Sequence, residues 1–374
     1  MDQNTETFRE LNGKVRISGY DIARAMAIFL MLLINFSGFL SLDEAYPDWV
    51  SEVIGLLDRR AAATLVMISG IGLSLFTRNP IVGSYVKVRP GSRRSLIDRI
   101  IFLFFFGYAF SIIWAADILH FYAVFILIGT FLSSKSDRSL LVAALIFWMG
   151  SLVQFFNVYD ILEDDLIHNR FTGEVIDLFF TGFYPVFPWA AFFILGMVLG
   201  RLDFQDRRLR KRMFTIGFLL LISSEFLSRL FSNLSEHMHS TGSDYVGCKT
   251  VLIHYFAWFM YIDLTVPTPF SVISGIGSGL IIVLSGVSLS SIQQKKWIEY
   301  LIVGGQNTLT LYITHIVFLI LAGHMVTHLN SERGLIDVTA ATLFFIVYIK
   351  GVTKWLKKHK NGPLESLMRE FSVS

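Results

Sequence analysis

The chain has 374 residues, of which 53% are hydrophobic and 16% are charged, with a formal net charge of +3. Ordinary soluble domains carry about 25% charged residues, so this composition excludes a soluble globular fold, and so small a net charge gives no reason to expect nucleic acid as a partner. The single cysteine, Cys248, excludes an internal disulfide framework and a cysteine-based metal cluster, and we predict no metal site.

The apolar segments of the chain are long and continuous. Several approach or exceed about eighteen residues, the length that crosses a bilayer as a helix, and they do not alternate as barrel strands would. We therefore predict an all-α, polytopic transmembrane helical bundle of about ten spans. The predicted spans lie near residues 20–40, 61–77, 99–115, 118–133, 139–156, 178–200, 212–231, 271–290, 300–323 and 336–353.

Charge decides the predicted orientation of these helices. Loops rich in Lys and Arg alternate with loops rich in Asp and Glu, which places both termini in the cytoplasm under the positive-inside rule. The first apolar run carries Asp21 and Arg24, so it does not resemble a cleavable signal peptide, and we expect it to be retained. Residues 250–265 are apolar but short, and a crossing there would move Lys295 and Lys296 outside. We predict an outer-face re-entrant or interfacial segment instead.

The predicted first helix carries polar residues that are costly in hydrocarbon. Asp21 and Arg24 have i, i+3 spacing and share one face, so they form either an anchoring ion pair at the cytoplasmic boundary or part of a substrate site. Asn35 lies roughly 16 Å further along the helix axis, in the outer half of the membrane. It can form an interhelical hydrogen bond or face a substrate.

The outer turn between the third and fourth predicted helices reads "DILHFYAV". Asp117 and His120 have i, i+3 spacing there, so the carboxylate can hold one imidazole nitrogen and leave the other as a base. Asp117 can equally serve as a helix cap, and both roles stay open. Tyr122 in the same stretch and Trp189 at the start of the sixth predicted helix join the candidate substrate-binding residues, although Trp189 can also be an ordinary interfacial tryptophan.

The stretch "GGQNTLTLYITH" opens a helix with polar residues. Its two glycines are predicted to end the preceding cytoplasmic segment, and Asn307 is a good N-cap. Thr308, Tyr312 and His315 share one face, and His315 lies about 12 Å in from the inner boundary. The helix N-terminus and the glycine N–H groups favour a phosphate, while His315 is either catalytic or a satisfied structural residue. The candidate binding residues here are Gly305, Gln306, Asn307, Thr308 and Tyr312.

The candidate residues divide between the two predicted faces of the membrane. Basic loops and the phosphate-favouring helix start face the cytoplasm. Asn35, Asp117 and His120 lie towards the outside, and His315 lies between the two groups. This arrangement is suited to moving a group from an anionic cytoplasmic donor to an acceptor outside.

Four stretches carry, in chain order, a resemblance to a known family: "RISGYDIARAMAIFLMLLINFSG", "DILHFYAV", "YPVFPWAAFFILGMVLGR" and "GQNTLTLYITH". They resemble motifs of bacterial membrane proteins of the YeiB type and are similar to the catalytic membrane domain of heparan-α-glucosaminide N-acetyltransferase. The tail "NGPLESLMREFS" is similar to the YeiB-type ending. The resemblance implies an all-helical acyltransferase of the bacterial plasma (inner) membrane that takes acyl groups from coenzyme A on the cytosolic side. We therefore predict that the chain divides into three parts. These are a cytoplasmic N-terminal segment (1–18), a transmembrane acyltransferase-like domain (19–355) and a cytoplasmic basic tail (356–374).

One departure from the resembled family concerns the catalytic base. Asn35 in "INFSG" matches the family's active-site asparagine, and in the heparan enzyme a catalytic histidine follows in the next outer loop. The comparable place here reads "DEAYPDW", with Tyr46 roughly where that histidine would fall. Either His120 or, after it, His315 supplies the base, or the protein does not carry out this chemistry.

The favoured hypothesis is transfer of an acyl group, acetyl in the first instance, from cytosolic acyl-CoA to a hydroxyl or amine of an extracytoplasmic glycan or lipid-linked sugar. Asn35 would bind the developing oxyanion, and His120, oriented by Asp117, would deprotonate the acceptor. An acyl-enzyme at His315 or His120 is the alternative route. A transporter or flippase and a non-catalytic scaffold are the competing classes. The expected partners are membrane lipids, acyl-CoA and the sugar acceptor, with a second copy of the chain in a homodimer as a further option.

Overall fold

The computed structural model describes residues 17–40, 48–57, 60–78, 90–152, 170–240, 256–257, 259–262, 267–292, 295–326 and 334–373. Every secondary-structure element in these ranges is helical, so the predicted all-α class is confirmed. The α-helices are α1 (Ser18–Leu40), α2 (Asp48–Leu57), α3 (Arg60–Thr77), α4 (Pro90–Ser111), α5 (Leu119–Leu132), α6 (Asp137–Met149), α7 (Arg170–Ile176), α8 (Val186–Leu199), α9 (Arg207–Ser240), α10 (Pro269–Leu289), α11 (Lys296–Gln306), α12 (Thr308–Val326), α13 (Gly334–Trp355) and α14 (Pro363–Val373).

Among the described residues, fewer helices than the predicted ten are long and apolar enough to cross a membrane. Among the described residues, five helices are long and apolar enough to cross a bilayer, or up to seven if each of two bent pairs forms one span. The chain is an integral membrane protein on this basis, while ten crossings and cytoplasmic termini stay predictions. Most of the 250–265 segment, and all of the 41–47 stretch with Tyr46, lie outside the described residues.

Two predicted spans are not straight helices. The span predicted at 300–323 is wrong as a single helix, because α11 and α12 meet there at a bend of 81°. The two glycines of the "GGQN" stretch were predicted to end the cytoplasmic segment, but both lie inside α11. The span predicted at 178–200 comprises a π-helical turn, Asp177–Thr181, followed by α8, with a bend of 48°.

Glycines let α3 and α8 pack with their backbones in close contact. Gly70 of α3 faces the carbonyl of Phe193, and Gly196 of α8 faces the carbonyl of Met67, so a methyl group at either glycine would overlap a backbone oxygen. Small residues at such spacing allow helices to approach in membranes, where van der Waals packing drives association. Of these two helices, α3 also packs against α1.

Replacing Gly196 by alanine is expected to lower the free energy of unfolding by roughly 2 kcal/mol, because the added methyl group forces α3 and α8 apart. Thermal unfolding of the detergent-solubilised protein measures the effect. The matched control is Gly351→Ala on α13, where a methyl group meets open space and stability is expected to stay the same or rise. Equal melting temperatures for the two variants would show that the close α3–α8 contact does not stabilise the fold.

Helix α1 occupies the centre of the bundle. It contacts α3, α10, α11, α12 and α13, and most of its residues between Tyr20 and Phe36 are buried. The C-terminal helix α14 folds back against α4, where the rings of Phe102 and Phe371 lie 5.8 Å apart, and against the start of α12. The bundle therefore brings α1, α4, α5, α12 and α14 around one interior region.

Candidate active site

A hydrogen bond between Asn35 of α1 and His315 of α12 joins residues 280 positions apart in the sequence. His315 is fully buried, and its Nδ1 lies 3.1 Å from the carbonyl oxygen of Leu311, which can only accept. Nδ1 therefore carries the proton, and Nε2 accepts a hydrogen bond from Asn35 Nδ2 at 3.0 Å. Asn35 is half-buried and keeps surface that a ligand can reach.

Asp117 organises the turn before α5. It is fully buried, and its Oδ2 accepts hydrogen bonds from the backbone N–H groups of Leu119 at 2.9 Å and His120 at 3.4 Å. The same oxygen lies 3.1 Å from His120 Nδ1. Because a carboxylate accepts, Nδ1 of His120 is protonated and Nε2 is left as the basic nitrogen. The two roles left open for Asp117, cap and partner of His120, are both present.

Tyr312 connects the two pairs. Its hydroxyl donates to Asp117 Oδ1 at 3.1 Å and accepts from the backbone N–H of Ile118 at 3.3 Å. Its ring packs edge-on against the imidazole of His315, with centroids 5.6 Å apart. The predicted residues Asn35, His315, Tyr312, Asp117 and His120 thus form one continuous cluster, which we call the polar cluster. Within it the side chain of His120 is 13% exposed, so the cluster is not fully closed at this residue.

Asp21 and Arg24 form the predicted ion pair, with Arg24 Nη1 and Asp21 Oδ1 at 2.9 Å. Gln306 at the end of α11 donates from Nε2 to the other Asp21 oxygen at 3.4 Å. Gly305 packs directly on the Asp21 backbone carbonyl, so a side chain there would overlap it. These residues hold the end of α11 against the start of α1, about 21 Å along α1 from Asn35.

The start of α12 differs from its prediction. Asn307 does not cap this helix through its side chain, because its Oδ1 accepts from the backbone of Gly362 and its Nδ2 donates to the Val303 carbonyl. The capping group is instead Glu365 of α14. Thr308, the first residue of α12, is half-buried. Local spacing favoured Asn307, and no local pattern predicts a cap contributed from 55 positions away.

Glu365 fills the place at the helix start where a phosphate was predicted. Its Oε1 accepts from the backbone N–H groups of Leu309 at 2.9 Å and Thr310 at 3.0 Å, and its Oε2 accepts from the Thr310 hydroxyl at 2.6 Å. A carboxylate at a helix N-terminus satisfies unpaired N–H donors and interacts favourably with the helix dipole. The donors of this helix start are therefore already occupied by the protein's own C-terminal segment.

Replacing Glu365 by alanine is expected to lower the free energy of unfolding by roughly 2 kcal/mol, because the Leu309 and Thr310 N–H groups lose a charged partner. Thermal unfolding in detergent measures the loss. Ser366→Ala is the control, since this half-buried neighbour forms no described side-chain hydrogen bond. Unchanged stability of Glu365→Ala would mean that water or another group satisfies the helix start equally well.

Tyr122 and Trp189 lie beside the polar cluster without joining it. Tyr122 is half-buried and its hydroxyl lies close to Ser69 of α3. Trp189 is fully buried, packs edge-on against Tyr184 at 4.8 Å, and its Nε1 has no hydrogen-bond partner among the described residues. Tyr184, which sequence reasoning passed over as part of a proline-rich helix start, lies within electrostatic reach of both Tyr122 and Tyr312.

Two family models match the sequence. The model for the heparan-alpha-glucosaminide N-acetyltransferase catalytic domain matches residues 16–229, which is more than half of the chain. A model for a protein family of unknown function, DUF418, matches residues 245–374. No curated protein matches the sequence. The first match contains Asn35, Asp117 and His120, and the second contains Tyr312 and His315, so the polar cluster is formed across both segments.

Proposed function

The chain belongs to the heparan-alpha-glucosaminide N-acetyltransferase catalytic family, and from this premise we propose that it transfers an acyl group, acetyl in the first instance, from cytosolic acyl-CoA to a hydroxyl or amine of an extracytoplasmic sugar or glycolipid. The resemblance predicted from the sequence is confirmed by the two matches. A transmembrane acetyltransferase is the family-level activity. The donor, the acceptor and their sides of the membrane are our proposal, and the observation that carries it is the polar cluster.

His120 is the proposed general base. Its Nδ1–H is held by Asp117 at 3.1 Å, which fixes the tautomer with a lone pair on Nε2. A base held in this way takes the acceptor's proton as the acceptor oxygen or nitrogen attacks the thioester carbonyl carbon. Tyr312 donates to the other oxygen of Asp117 and so keeps that carboxylate oriented. His120 then takes the place of the loop histidine that this sequence lacks.

Asn35 is the proposed donor to the oxyanion. In its hydrogen bond to His315, Nδ2 uses one amide hydrogen and keeps the second. A preorganised amide donor at a developing oxyanion contributes about 3 kcal/mol to transition-state stabilisation in comparable sites. His315, buried and bonded to the Leu311 carbonyl, positions the Asn35 amide.

The tetrahedral intermediate collapses by breaking the carbon–sulfur bond. The acceptor gains the acyl group, coenzyme A leaves as the thiolate, and the proton held on His120 Nε2 neutralises that thiolate. The competing route forms an acyl-imidazole on His120 or His315 before the acceptor enters. An acyl-imidazole at His315 is disfavoured, because the Nε2 lone pair accepts a hydrogen bond from Asn35 and the ring is fully buried.

This function requires that the acyl-CoA donor enters the bundle from the cytoplasmic face of the membrane. Both termini are proposed to lie in the cytoplasm, with about ten crossings of a bacterial inner membrane, following the distribution of basic loops. Asp21 and Arg24 mark the inner part of α1, and Asn35 lies about 21 Å from Asp21 along that helix. A thioester reaching from the inner face to Asn35 would cross about two-thirds of a bilayer core.

Labelled acetyl-CoA tests the proposal. We expect purified protein to pass the label to an added sugar acceptor and to release free CoASH, with no stable label on the chain. Retention of label on the protein would support the acyl-histidine route. An absence of CoASH release with every amino sugar and hydroxyl sugar supplied would contradict an acyltransferase.

A transporter is the second candidate, and the bent helix pairs are the observation in its favour. Helices interrupted near the membrane midplane commonly form transport sites, and the α11–α12 pair bends by 81°. In this chain, however, the α12 start is closed by Glu365 and does not present its N–H groups to a substrate. Uptake of a sugar into proteoliposomes without CoASH release would favour transport.

A further inference from the structure

Helix α11 has the orientation and the composition of a helix that lies at a membrane surface. It meets α12 at 81° and has 11 residues, whereas α12 has 19 residues, roughly 28 Å, which is nearly enough to cross a bilayer core. With α12 across the bilayer, α11 therefore runs almost parallel to the surface. Lys296, Trp297 and Tyr300 are exposed on α11, while Ile298 is buried against the bundle. Exposed lysine and aromatic side chains on such a helix are typical of the lipid–water interface.

The end of α13 lies beside the same bend. The Tyr348 hydroxyl donates to the carbonyl oxygen of Asn307 at 2.8 Å, and Gly304 of α11 lies against the side chain of Ile349. Asn307 is the residue between α11 and α12. The C-terminal end of α13 and the N-terminal end of α12 are therefore on one side of the bundle. Because α13 is long and apolar enough to cross a membrane, its last turn reaches the surface there.

Basic side chains are concentrated at this end of α13. Five exposed lysines lie on its last two turns and on the turn that follows: Lys350, Lys354, Lys357, Lys358 and Lys360. None of the five forms an ion pair with a residue that the structure describes. Together with Lys295 and Lys296, the segments 295–300 and 350–360 carry seven exposed lysines and one carboxylate, that of Glu299. We call these two segments the basic platform.

Tryptophans accompany both halves of the basic platform. Trp297 is exposed on α11, and Trp355 is exposed at the end of α13, where it stacks on His359 with ring centroids 3.9 Å apart. The indole Nε1 of Trp355 donates to the Asn361 carbonyl oxygen at 3.0 Å, which fixes the turn that carries the last lysines. Tryptophan side chains are enriched at the level of the lipid headgroups, so these rings define the depth of the platform.

The basic platform is joined directly to the start of α12. Just beyond the platform, the Gly362 N–H donates to Asn307 Oδ1 at 2.7 Å, and the Leu364 N–H donates to the Thr310 hydroxyl at 3.1 Å. Both acceptors lie at the start of α12, the helix that contributes two residues to the polar cluster. A ligand that holds the platform in place therefore also holds this end of α12.

We propose that the basic platform binds the headgroups of anionic phospholipids, and that this binding fixes the α11–α12 bend and the start of α12. The lysine ammonium groups supply charge that is complementary to the lipid phosphates. The whole platform lies in the segment matched by the family of unknown function, so the proposal gives that segment a role in lipid recognition. It does not depend on acyl transfer, because lipid binding uses no residue of the polar cluster.

The distribution of the lysines favours a lipid surface over a soluble phosphate compound. Lys295 lies about 14 Å along α11 from Gly304, the residue at which α11 contacts α13. Charges spread along two helices match many headgroups better than they match one phosphate group. Lysine also acts as a point charge on a flexible stem, whereas arginine supplies the paired donors of a defined phosphate site. The tail 356–374 is predicted to be cytoplasmic, and the cytoplasmic leaflet is the one that carries anionic lipids.

The test measures hydrogen exchange in the full chain, held in nanodiscs of phosphatidylcholine or of an equal mixture of phosphatidylcholine and phosphatidylglycerol. Peptides that cover residues 307–312 and 350–366 are expected to exchange about tenfold more slowly in the mixture, because bound headgroups stabilise the closed form of this region. High salt is expected to remove most of the difference, since exposed charges are screened. Identical exchange of these peptides in the two lipids would overturn the proposal.

A triple variant locates the effect in the basic platform. Lys354→Gln, Lys357→Gln and Lys358→Gln, introduced together, are expected to abolish the slowing by phosphatidylglycerol. The melting temperature in phosphatidylcholine alone is expected to stay unchanged, because the three side chains are exposed and form no ion pair with a described residue. Replacing the same lysines by arginine keeps the charge and is expected to keep the slowing. A lipid effect that persists in the glutamine variant would refute the platform.

The matched control removes the same charge from the start of α9, another exposed basic segment. It combines Arg207→Gln, Arg208→Gln and Lys211→Gln, and it is expected to keep the slowing of both peptides. Equal loss in the two triple variants would show that total charge matters and would overturn the platform. Coenzyme A supplies the last arm. If it slows these peptides in phosphatidylcholine while phosphatidylglycerol does not, the platform binds the donor's phosphates and the lipid proposal is wrong.

Discussion

Replacing Asn35 by alanine is expected to lower the rate of acyl transfer by about 100- to 1000-fold, the usual effect of removing one oxyanion donor. The loss should appear in kcat, with the affinity for coenzyme A little changed, because Asn35 acts on charge that develops only in the transition state. The rate of CoASH release in the presence of a sugar acceptor measures it.

The structural effect of this substitution is expected to be small. His315 Nε2 loses a donor, but its other nitrogen keeps the hydrogen bond to Leu311, so the ring stays in place. Asn233→Ala, at an exposed position of α9, is the control for removing an amide from the bundle. Turnover of Asn35→Ala at the wild-type rate would show that Asn35 is not a catalytic residue.

Replacing His120 by glutamine is expected to lower turnover by about 100- to 10,000-fold, the range attributed to general base catalysis. Glutamine can still donate to Asp117 and preserve the cap of α5, but it cannot take a proton from the acceptor at neutral pH. The variant therefore separates the base from the structural role of the Asp117–His120 pair. Single-turnover rates, with and without added imidazole, measure the loss and its rescue.

His359→Gln is the matched control for this change. His359 is exposed and stacks on Trp355, with ring centroids 3.9 Å apart, at a position that follows α13. It should leave turnover unchanged. If His120→Gln turns over as fast as wild type, another residue is the base. Slow turnover that imidazole does not rescue would favour a purely positional role for His120.

Local patterns predicted the parts of the site that depend on short spacing. The i, i+3 pairs Asp21–Arg24 and Asp117–His120 are both formed, because residues three apart on one helix turn are neighbours whatever the rest of the fold does. The common face of Tyr312 and His315 follows from the same geometry. Most long helices also lie close to their predicted positions, since continuous apolar runs leave little choice in a bilayer.

Contacts between distant residues could not be predicted in this way. The Asn35–His315 bond joins the first helix to a helix near the end of the chain, and no periodicity encodes such a pairing. Glu365 displaced Asn307 as the cap because tertiary packing brought a carboxylate to the helix start. The glycines of the "GGQN" stretch were predicted to end the cytoplasmic segment, but they lie inside α11, where the small size of Gly305 serves close backbone contact with α1.

Helix bends also could not be predicted from the sequence patterns. A hydropathy pattern cannot distinguish one straight span from two short helices meeting at 81°, because both are apolar along their length.

Electron cryomicroscopy of the full chain with a non-hydrolysable acetyl-CoA analogue tests the account most directly. We expect the carbonyl of the bound analogue to lie within hydrogen-bond distance of Asn35 Nδ2, with an open path from His120 to the opposite face. An analogue whose acyl end points away from Asn35, or an interior that admits no ligand at saturating concentration, would contradict it.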